Sequence, residues 1–383
     1  MPAFKSRIES ALAERKTQGL NRSMNVVFAG NQSVLEHEGR RYINFSSNDY
    51  LGLANDQALV RAWQQGLSVY GSGSGASPMV TGFSAAHSNL EAALTEWLGY
   101  DRAILFGSGF SANQALLFTL LEKSDVLIQD RLNHASLMEA GALSPAKMKR
   151  FKHNDIEHLK SLINSEDNHL VVTEGVFSMD GDCAPLSDIA EVTRSHDAWF
   201  AVDDAHGIGV LGQSGGGSCE LATVKPEILI VTFGKAFGMS GAATLCDHAT
   251  GDFLTQFARH HVYSTAMPPA QAYALTHAVS IVQEQSWRRE KLSELSEVYR
   301  DCLSDLEGFV ETQTSIKPFV IGESELALQV ASACRQNGIW VTAIRPPTVP
   351  KGTSRLRITL TANHTNEQVK TLSMALKQAL GAL

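Results

Sequence analysis

Between residues 100 and 245, short apolar runs rich in β-branched residues alternate with stretches of helical periodicity. Most of these runs are apolar at nearly every position, which is the pattern of parallel strands covered on both faces. Such an alternation of strands and helices predicts a doubly wound α/β sheet. The runs predicted as strands are 103–106, 126–129, 170–173, 199–203, 228–232 and 242–245.

The remaining sequence predicts a smaller unit built from the two ends of the chain. Residues 4–19 have the spacing of an amphipathic helix, with Phe4, Ile8, Ala11 and Leu12 on one face. A long helical pattern over residues 270–306 follows a pair of prolines. Further strands are predicted near 317–321, 339–343 and 355–360, with helices at about 323–337 and 365–380.

With 383 residues, the chain is longer than one ordinary domain. We expect an N-terminal helix and strand over residues 1–45, which pack with the small domain. A large α/β domain over 46–285 and a small α+β domain over 286–383 follow. Ligands of a doubly wound sheet bind at the carboxyl ends of its strands, so we expect the site residues there.

Composition and charge narrow the functional classes. A net charge of −8 and the lack of a basic stripe argue against a nucleic-acid partner. No apolar run is long enough to span a bilayer, and the N-terminal residues lack the apolar core of a signal peptide. The five cysteines are scattered and never spaced C-x-x-C, so we expect neither disulfides nor a zinc site, and a reduced, cytoplasmic setting.

The strongest local signal is T-F-G-K-A-F-G at 232–238, directly after a buried apolar strand. A lysine amine whose pKa is lowered by burial can form a Schiff base with an aldehyde cofactor. The flanking glycines allow other groups to approach closely, and Thr232 can donate a hydrogen bond to a phosphate. Taken by itself, Lys235 also fits a surface lysine in a glycine-rich turn.

A second signal is the strand end W-F-A-V-D-D-A-H-G at 199–207, which sets Asp203 and His206 at the rim of the sheet. Pyridoxal phosphate (PLP) needs a carboxylate that keeps its pyridine nitrogen protonated, and an imidazole can bond its phenolic oxygen. Asp203 and Asp204 also fit a helix-capping turn. A metal site is not expected, because no second cluster of ligands accompanies the two carboxylates.

The segment F-G-S-G-F-S-A-N-Q at 106–114 has the order strand, glycine turn and helix start. Backbone N–H groups at a helix start bind phosphate with help from the helix dipole, so Ser108, Gly109 and Phe110 are candidates for a phosphate cradle. The segment is neither G-x-G-x-x-G nor a P-loop, which weakens the case for dinucleotide or ATP binding.

These three segments, in this order, resemble the α-oxoamine synthases, PLP enzymes of the aspartate-aminotransferase fold (fold type I). The likeness covers nearly the whole chain and implies pyridoxal 5'-phosphate as cofactor, a mostly parallel central sheet and a small α+β C-terminal domain. The segment 71–82 departs from the family at Ala76, Pro78 and Met79, which leaves the acyl-chain preference open. The other matching segments are N-F-S-S-N-D-Y-L-G-L (44–53), R-L-N-H-A-S-L (131–137), V-T-E-G-V-F-S-M-D-G-D (172–182), Y-S-T-A-M-P-P (263–269) and I-R-P-P-T-V-P-K-G-T-S-R-L-R (344–357).

The resemblance implies a role at each matching position. The implied catalytic set is Lys235 as the Schiff-base lysine, Asp203 at the pyridine nitrogen, His206 at the phenolic oxygen and His134 stacked on the ring. In the family the Y-S-T segment reaches into the neighbouring subunit, which implies a homodimer with shared active sites. The further cofactor-binding residues are Ser108, Gly109, Phe110, Ser178, Thr232 and Thr265, and the substrate-binding residues are Arg22, His134, Thr353 and Arg357, the last as a bidentate partner of the amino-acid carboxylate.

The implied reaction is the decarboxylative condensation of L-alanine with a pimeloyl thioester of coenzyme A or acyl-carrier protein, an acyltransferase step of biotin biosynthesis. Lys235 would take the α-proton, and carbon dioxide and the free thiol would leave. The alternatives are an α-oxoamine synthase that uses glycine and another acyl-CoA, a PLP aminotransferase, and a non-catalytic PLP-binding protein. No nucleic-acid, membrane or metal partner is implied.

Overall fold

The computed structural model describes residues 3–28, 32–164 and 167–381. Within these ranges the strands form one seven-stranded sheet and two three-stranded sheets. The strands are β1 Val34–His37, β2 Arg40–Asn44, β3 Arg102–Phe106, β4 Val126–Asp130, β5 Lys147–Phe151, β6 His169–Glu174, β7 Trp199–Asp203, β8 Ile228–Thr232, β9 Ala242–Cys246, β10 Ile316–Gly322, β11 Ile339–Trp340, β12 Thr342–Ile344 and β13 Ser354–Thr359. The helices are α1 Ala3–Thr17, α2 Gln57–Tyr70, α3 Ala85–Leu98, α4 Gly109–Leu120, α5 Ala135–Leu143, α6 Ile156–Leu162, α7 Leu186–Ser195, α8 Gly217–Ala222, α9 His248–Phe257, α10 Arg259–Val262, α11 Pro269–Glu284, α12 Trp287–Leu303, α13 Ser324–Gln336 and α14 Asn366–Gly381.

The large sheet has the strand order β3-β9-β8-β7-β6-β4-β5. Every position of β4, β6 and β8 is buried, as expected for parallel strands covered on both faces, and the predicted mostly parallel α/β sheet is confirmed. Strand β9 departs from this pattern, since it runs antiparallel to both β3 and β8. The connection 233–241 is too short for a parallel crossover, which needs a dozen or more residues.

The apolar pattern does not predict the edge strand β5, which has the sequence K-M-K-R-F and pairs in parallel with β4. Only its last residue, Phe151, is fully buried. An edge strand gains little from apolar residues and is protected from further pairing by lysine and arginine. Its sequence therefore lacks the continuous apolar run by which the central strands are recognised.

The single long helix expected over 270–306 is wrong, because the chain forms α11 and α12 with a break at Gln285 and Ser286. Helix α11 packs against α2 and α3, whereas α12 packs against α14 near the C-terminus. The two helices thus pack against different parts of the fold. The break between them lies where the sequence predicts the domain boundary.

The N-terminal strands join the C-terminal part of the chain, since β2 pairs with β1 on one side and in parallel with β11 on the other. The strand expected at 339–343 is two short strands, because β12 leaves that sheet and pairs with β13. Helix α1 forms as expected, but its apolar side chains Phe4, Ile8 and Leu12 are exposed by 56–70%. No helix in the described ranges is long and apolar enough to cross a membrane.

Candidate active site

A cavity of about 310 Å³ lies at the carboxyl ends of β6, β7 and β8, within the size range of ligand pockets. Lys235, just past β8, lines this cavity, and its side-chain amine makes no hydrogen bond or ion pair within the described ranges. Burial lowers the pKa of its amine, and the nearby carboxylates Asp203 and Glu174 oppose that shift. The amine therefore exchanges its proton more readily than a surface lysine does.

Asp203, the last residue of β7, is held in a fixed orientation. One carboxylate oxygen accepts a hydrogen bond from Nδ2 of Asn113 at 2.7 Å, and the other accepts from the backbone N–H of Ala205 at 3.1 Å. Asn113 lies on α4, one turn after the helix start, so the helix that offers free N–H groups also positions the carboxylate. The carboxylate lines the same cavity as Lys235.

The start of α4 forms one wall of the cavity, with Ser108, Gly109 and Phe110 among the lining residues. The Ser108 hydroxyl accepts from the N–H of Ser111 at 3.1 Å and so caps the helix. A Cβ at Gly109 would lie 2.6 Å from the Thr232 methyl carbon, so only glycine lets the helix approach β8 this closely. The buried Thr232 hydroxyl has no hydrogen-bond partner within the described ranges.

His134 also lines the cavity and caps α5. Its Nδ1 accepts from the backbone N–H of Ser136 at 3.3 Å and lies 2.8 Å from the Ser136 hydroxyl. That hydroxyl accepts from Asn113, which joins His134 to Asp203 through two intervening side chains. Burial lowers the pKa of His134, so its ring is neutral and its proton lies on Nε2.

A polar network adjoins the cavity at Asn48, which lines it. Arg357 on β13 donates to Oδ1 of Asn48 at 3.0 Å and to the carbonyl of Ser178 at 2.6 Å. It also donates to the hydroxyl of Tyr50 at 3.5 Å, and that hydroxyl lies 2.7 Å from Nδ1 of His206. The network thus connects Ser178, His206 and Arg357, which lie far apart in the sequence, to Asn48 in the cavity lining, although the three do not line the cavity themselves.

Asp204 lies behind Asp203 and is fully buried. Its carboxylate accepts two hydrogen bonds from Ser218, at 2.8 Å from the backbone N–H and at 2.6 Å from the hydroxyl. Burial raises its pKa to about 7, although those two bonds lower it in part. Three glycines enclose the carboxylate, because a Cβ at Gly175, Gly207 or Gly217 would lie within 2.3 Å of it.

Three further predicted site residues, besides Ser178, His206 and Arg357, do not line the cavity. Arg22 is exposed, Thr353 donates to the carbonyl of Pro350 at 2.8 Å, and Thr265 lies exposed in a smaller neighbouring cavity. Within the described ranges, no cluster of three or more histidine, cysteine, aspartate or glutamate side chains is arranged to hold a metal.

Sequence reasoning missed several side chains of the site. Buried Glu174, at the end of β6, lines the cavity, and burial together with the charge of Asp203 raises its pKa well above the ordinary value. Asn48 and Tyr50 lie in N-F-S-S-N-D-Y-L-G-L, and Asn113 lies in the helix-start segment, so the segments were identified without these residues. The signal that could have identified them is the recurrence of polar residues near the carboxyl ends of strands, where ligands of such sheets bind.

Comparisons with known proteins agree with this geometry. The family model described as aminotransferase class I and II matches residues 40–376. The 8-amino-7-oxononanoate synthase of Vibrio campbellii is 92% identical over 383 residues, which is all of both chains. The Vibrio cholerae protein of the same name is 64% identical over 377 residues, or 98% of each chain.

Solved structures give the same result. A serine palmitoyltransferase of Sphingomonas wittichii superposes with a TM-score of 0.91 at 29% identity, over 100% of this chain and 98% of that one. A structure of SPT with PLP as internal aldimine has a TM-score of 0.93 at 28% identity, over 98% of each chain. The 8-amino-7-oxononanoate synthase of Francisella tularensis has a TM-score of 0.79 at 29% identity, over 89% of this chain and 98% of that one. From its strand-end cavity, its fold and its full-length relatives, the chain belongs to the class I and II aminotransferase family and, within it, to the 8-amino-7-oxononanoate synthases.

Proposed function

We propose that the chain binds pyridoxal 5'-phosphate in this cavity and condenses L-alanine with a pimeloyl thioester, giving 8-amino-7-oxononanoate, carbon dioxide and the free thiol. The observation that carries the proposal is the meeting of the Lys235 amine and the fixed Asp203 carboxylate in one cavity. Bound there, the cofactor supplies an aldehyde that condenses with amines and a ring that withdraws electrons from Cα.

The residues present fit that cofactor at three points. The unpartnered Thr232 hydroxyl lies beside the start of α4, where free N–H groups and the helix dipole favour a phosphate. Asp203 offers a carboxylate to a protonated pyridine nitrogen, and two hydrogen bonds keep it oriented. Lys235 offers an amine whose pKa burial lowers, which favours condensation with an aldehyde.

Lys235 and Arg357 account for the chemistry at L-alanine. The amine of Lys235 takes the proton from Cα and returns one to the product. The guanidinium of Arg357 binds the amino-acid carboxylate and so fixes which bond at Cα faces Lys235. A C–C bond then forms between Cα and the thioester carbonyl carbon as the C–S bond breaks, and the alanine carboxylate leaves as carbon dioxide.

We also propose a homodimer in which each subunit completes the other's site. Thr265 is exposed and does not line the main cavity of its own chain, but its small cavity shares Gly107 with the main one. Tyr263, two positions before Thr265, is exposed by 76%, and Val80, in the segment 78–82 that contacts α10, is exposed by 73%. A second copy of the chain covering this face would bring Thr265 to the partner's cofactor phosphate.

The experiment is to incubate the purified holoenzyme with L-alanine and a panel of acyl thioesters and to measure free thiol, carbon dioxide and product mass. We expect slow exchange of the L-alanine α-proton without thioester, and rapid thiol release with the pimeloyl thioester. Lys235→Ala should lose turnover by several orders of magnitude, whereas the exposed Lys123→Ala should match wild type. Pyruvate formation without thiol release from any thioester would instead identify an aminotransferase.

A further inference from the structure

A charged cluster outside the cavity joins two of the loops that form it. His153, in the turn after the edge strand β5, lies between two carboxylates. Its Nδ1 is 3.1 Å from Oδ1 of Asp130, and its Nε2 is 2.8 Å from Oδ2 of Asp182. The ring also contacts Phe177 edge-on, with centroids 4.4 Å apart.

The geometry fixes the protonation state of this histidine. Ionised carboxylates only accept hydrogen bonds, so both ring nitrogens must carry a proton. Burial would lower the pKa of His153, but the hydrogen bonds and charges of Asp130 and Asp182 outweigh it and raise the pKa to about 10. Asn154, an uncharged residue, also holds the two carboxylates in place. Its backbone N–H donates to Asp130 and its side-chain amide to Asp182, each at 2.9 Å.

The first carboxylate organises the loop that leads to His134. Asp130 is the last residue of β4, and its Oδ1 accepts from the N–H of Leu132 at 2.8 Å. Its backbone carbonyl accepts from the N–H of Asn133 at 3.1 Å. His134 follows directly and lines the cavity.

The second carboxylate closes the loop that carries Ser178. The backbone carbonyl of Asp182 accepts from the N–H of Phe177 at 3.0 Å, which brings the two ends of residues 177–182 together. Between these ends, the Ser178 carbonyl accepts from Arg357 at 2.6 Å. Asp180 in the same loop pairs with Arg355 at 2.5 Å. Movement of this loop would therefore displace the arginine proposed to bind the substrate carboxylate.

We propose that His153, held as an imidazolium between Asp130 and Asp182, is a positioning residue that keeps the His134 loop and the Ser178–Arg357 contact in register around the cofactor and amino acid. The identity of the groups being positioned rests on the proposed function. The contacts of His153 with Asp130 and Asp182 rest on the distances alone.

The first test measures the ring itself. In holoenzyme labelled with ¹⁵N-histidine, at pH 8.5, we expect one ring with imidazolium shifts, and His153→Gln should remove that signal. Asp182→Asn removes one of the two charges and should lower the pKa of His153 toward the ordinary range. A neutral His153 ring at pH 8.5 in wild type would overturn the proposal.

The second test links the ring to the site. In His153→Gln we expect cofactor affinity, measured by equilibrium dialysis, to fall about tenfold or more, and KM for L-alanine to rise more than kcat falls. His158→Gln is the matched control, because Nδ1 of His158 only accepts a hydrogen bond, from the N–H of Lys152 at 2.8 Å, which glutamine can also do. Wild-type cofactor affinity and KM in His153→Gln would refute the positioning role.

Asp182→Asn gives an independent readout if His153→Gln does not fold. In that variant, cofactor affinity should fall as pH rises, with the same midpoint as the His153 ring in the NMR titration. In wild type, cofactor affinity should not change over the same pH range. Different midpoints would contradict the proposal. Neither measurement uses a thioester, so a failure of the proposed acyl transfer would leave these results interpretable.

Discussion

The hydroxyl oxygen of Tyr50 lies 2.7 Å from Nδ1 of His206, although 156 positions separate the two residues in the chain. Burial, followed by the positive charges of Lys235 and Arg357, holds the pKa of His206 well below its ordinary value, so the ring is neutral. The hydroxyl also accepts from Arg357 at 3.5 Å, and it donates to Oδ1 of Asn48 at 3.3 Å. Nδ1 of His206 is thus engaged by Tyr50, whereas its Nε2 makes no hydrogen bond within the described ranges.

Removing that hydroxyl tests the relationship. Tyr50→Phe leaves the aromatic packing but takes one partner from His206 and one from Arg357, so we expect cofactor binding with turnover reduced about tenfold to a hundredfold. Tyr42→Phe, a change at a buried tyrosine of β2, is the control and should keep wild-type kinetics. The measurement is kcat and KM for L-alanine against pH. Equal profiles for both variants would show that the contact has no functional role.

The close approach of α4 to β8 predicts that a larger residue at position 109 weakens cofactor binding and that a smaller residue at position 232 restores it. Gly109→Ala places a Cβ 2.6 Å from the Thr232 methyl carbon, so the helix start must move away from the position proposed for the phosphate. We expect cofactor affinity to fall about tenfold or more in dialysis. Thr232→Ser removes that methyl and keeps the hydroxyl, so the double variant should recover most of the affinity. A double variant as weak as Gly109→Ala would mean that the clash is not the cause.

The buried Asp204 predicts a pH dependence of stability. Burial raises its pKa from 3.8 to about 7, so between these values the folded state holds a proton that the unfolded state has released. Raising the pH across this window therefore destabilises the wild type. Asparagine does not titrate, and it can still accept from the N–H of Ser218 and donate to the Ser218 hydroxyl. We expect the melting temperature of Asp204→Asn, relative to wild type, to be higher at pH 8 than at pH 5.

The apo-protein is used for that comparison, by scanning calorimetry, so that cofactor binding does not contribute. Asp188→Asn, at an exposed position in the first turn of α7, is the control. Melting curves of Asp204→Asn and wild type that shift in parallel with pH would show that the Asp204 carboxyl titrates normally.

The proposed sharing of each site between two subunits predicts complementation between two damaged subunits. A Lys235→Ala subunit and a Thr265→Ala subunit, co-expressed with different tags and purified as the mixed dimer, should form one intact site and one doubly damaged site. We expect up to about half of the wild-type turnover at limiting cofactor, where Thr265→Ala alone is weak. If Thr265 acted within its own chain, the mixed dimer would not exceed half the activity of the Thr265→Ala homodimer.

The central strands and the residues at their ends could be predicted from the sequence, because both are local properties. A strand covered on both faces needs apolar residues at successive positions, so β4, β6, β7 and β8 stand out in a single sequence. The lysine after β8 and the aspartate at the end of β7 are conspicuous, because a charged side chain next to a buried strand costs free energy unless it has a partner or a function. The resemblance carried by longer segments then gave the cofactor and the reaction.

Tertiary structure alone decided the features that depend on distant partners. The edge strand β5 has no apolar run because one side faces no strand, and the break between α11 and α12 reflects which neighbours each helix packs against. Tyr50 and His153 are ordinary residues in the sequence, and their roles arise when folding brings His206 and two carboxylates to their side chains. Hydrogen bonds between segments require both partners within about 3 Å, and only the packed chain determines which side chains meet at that distance.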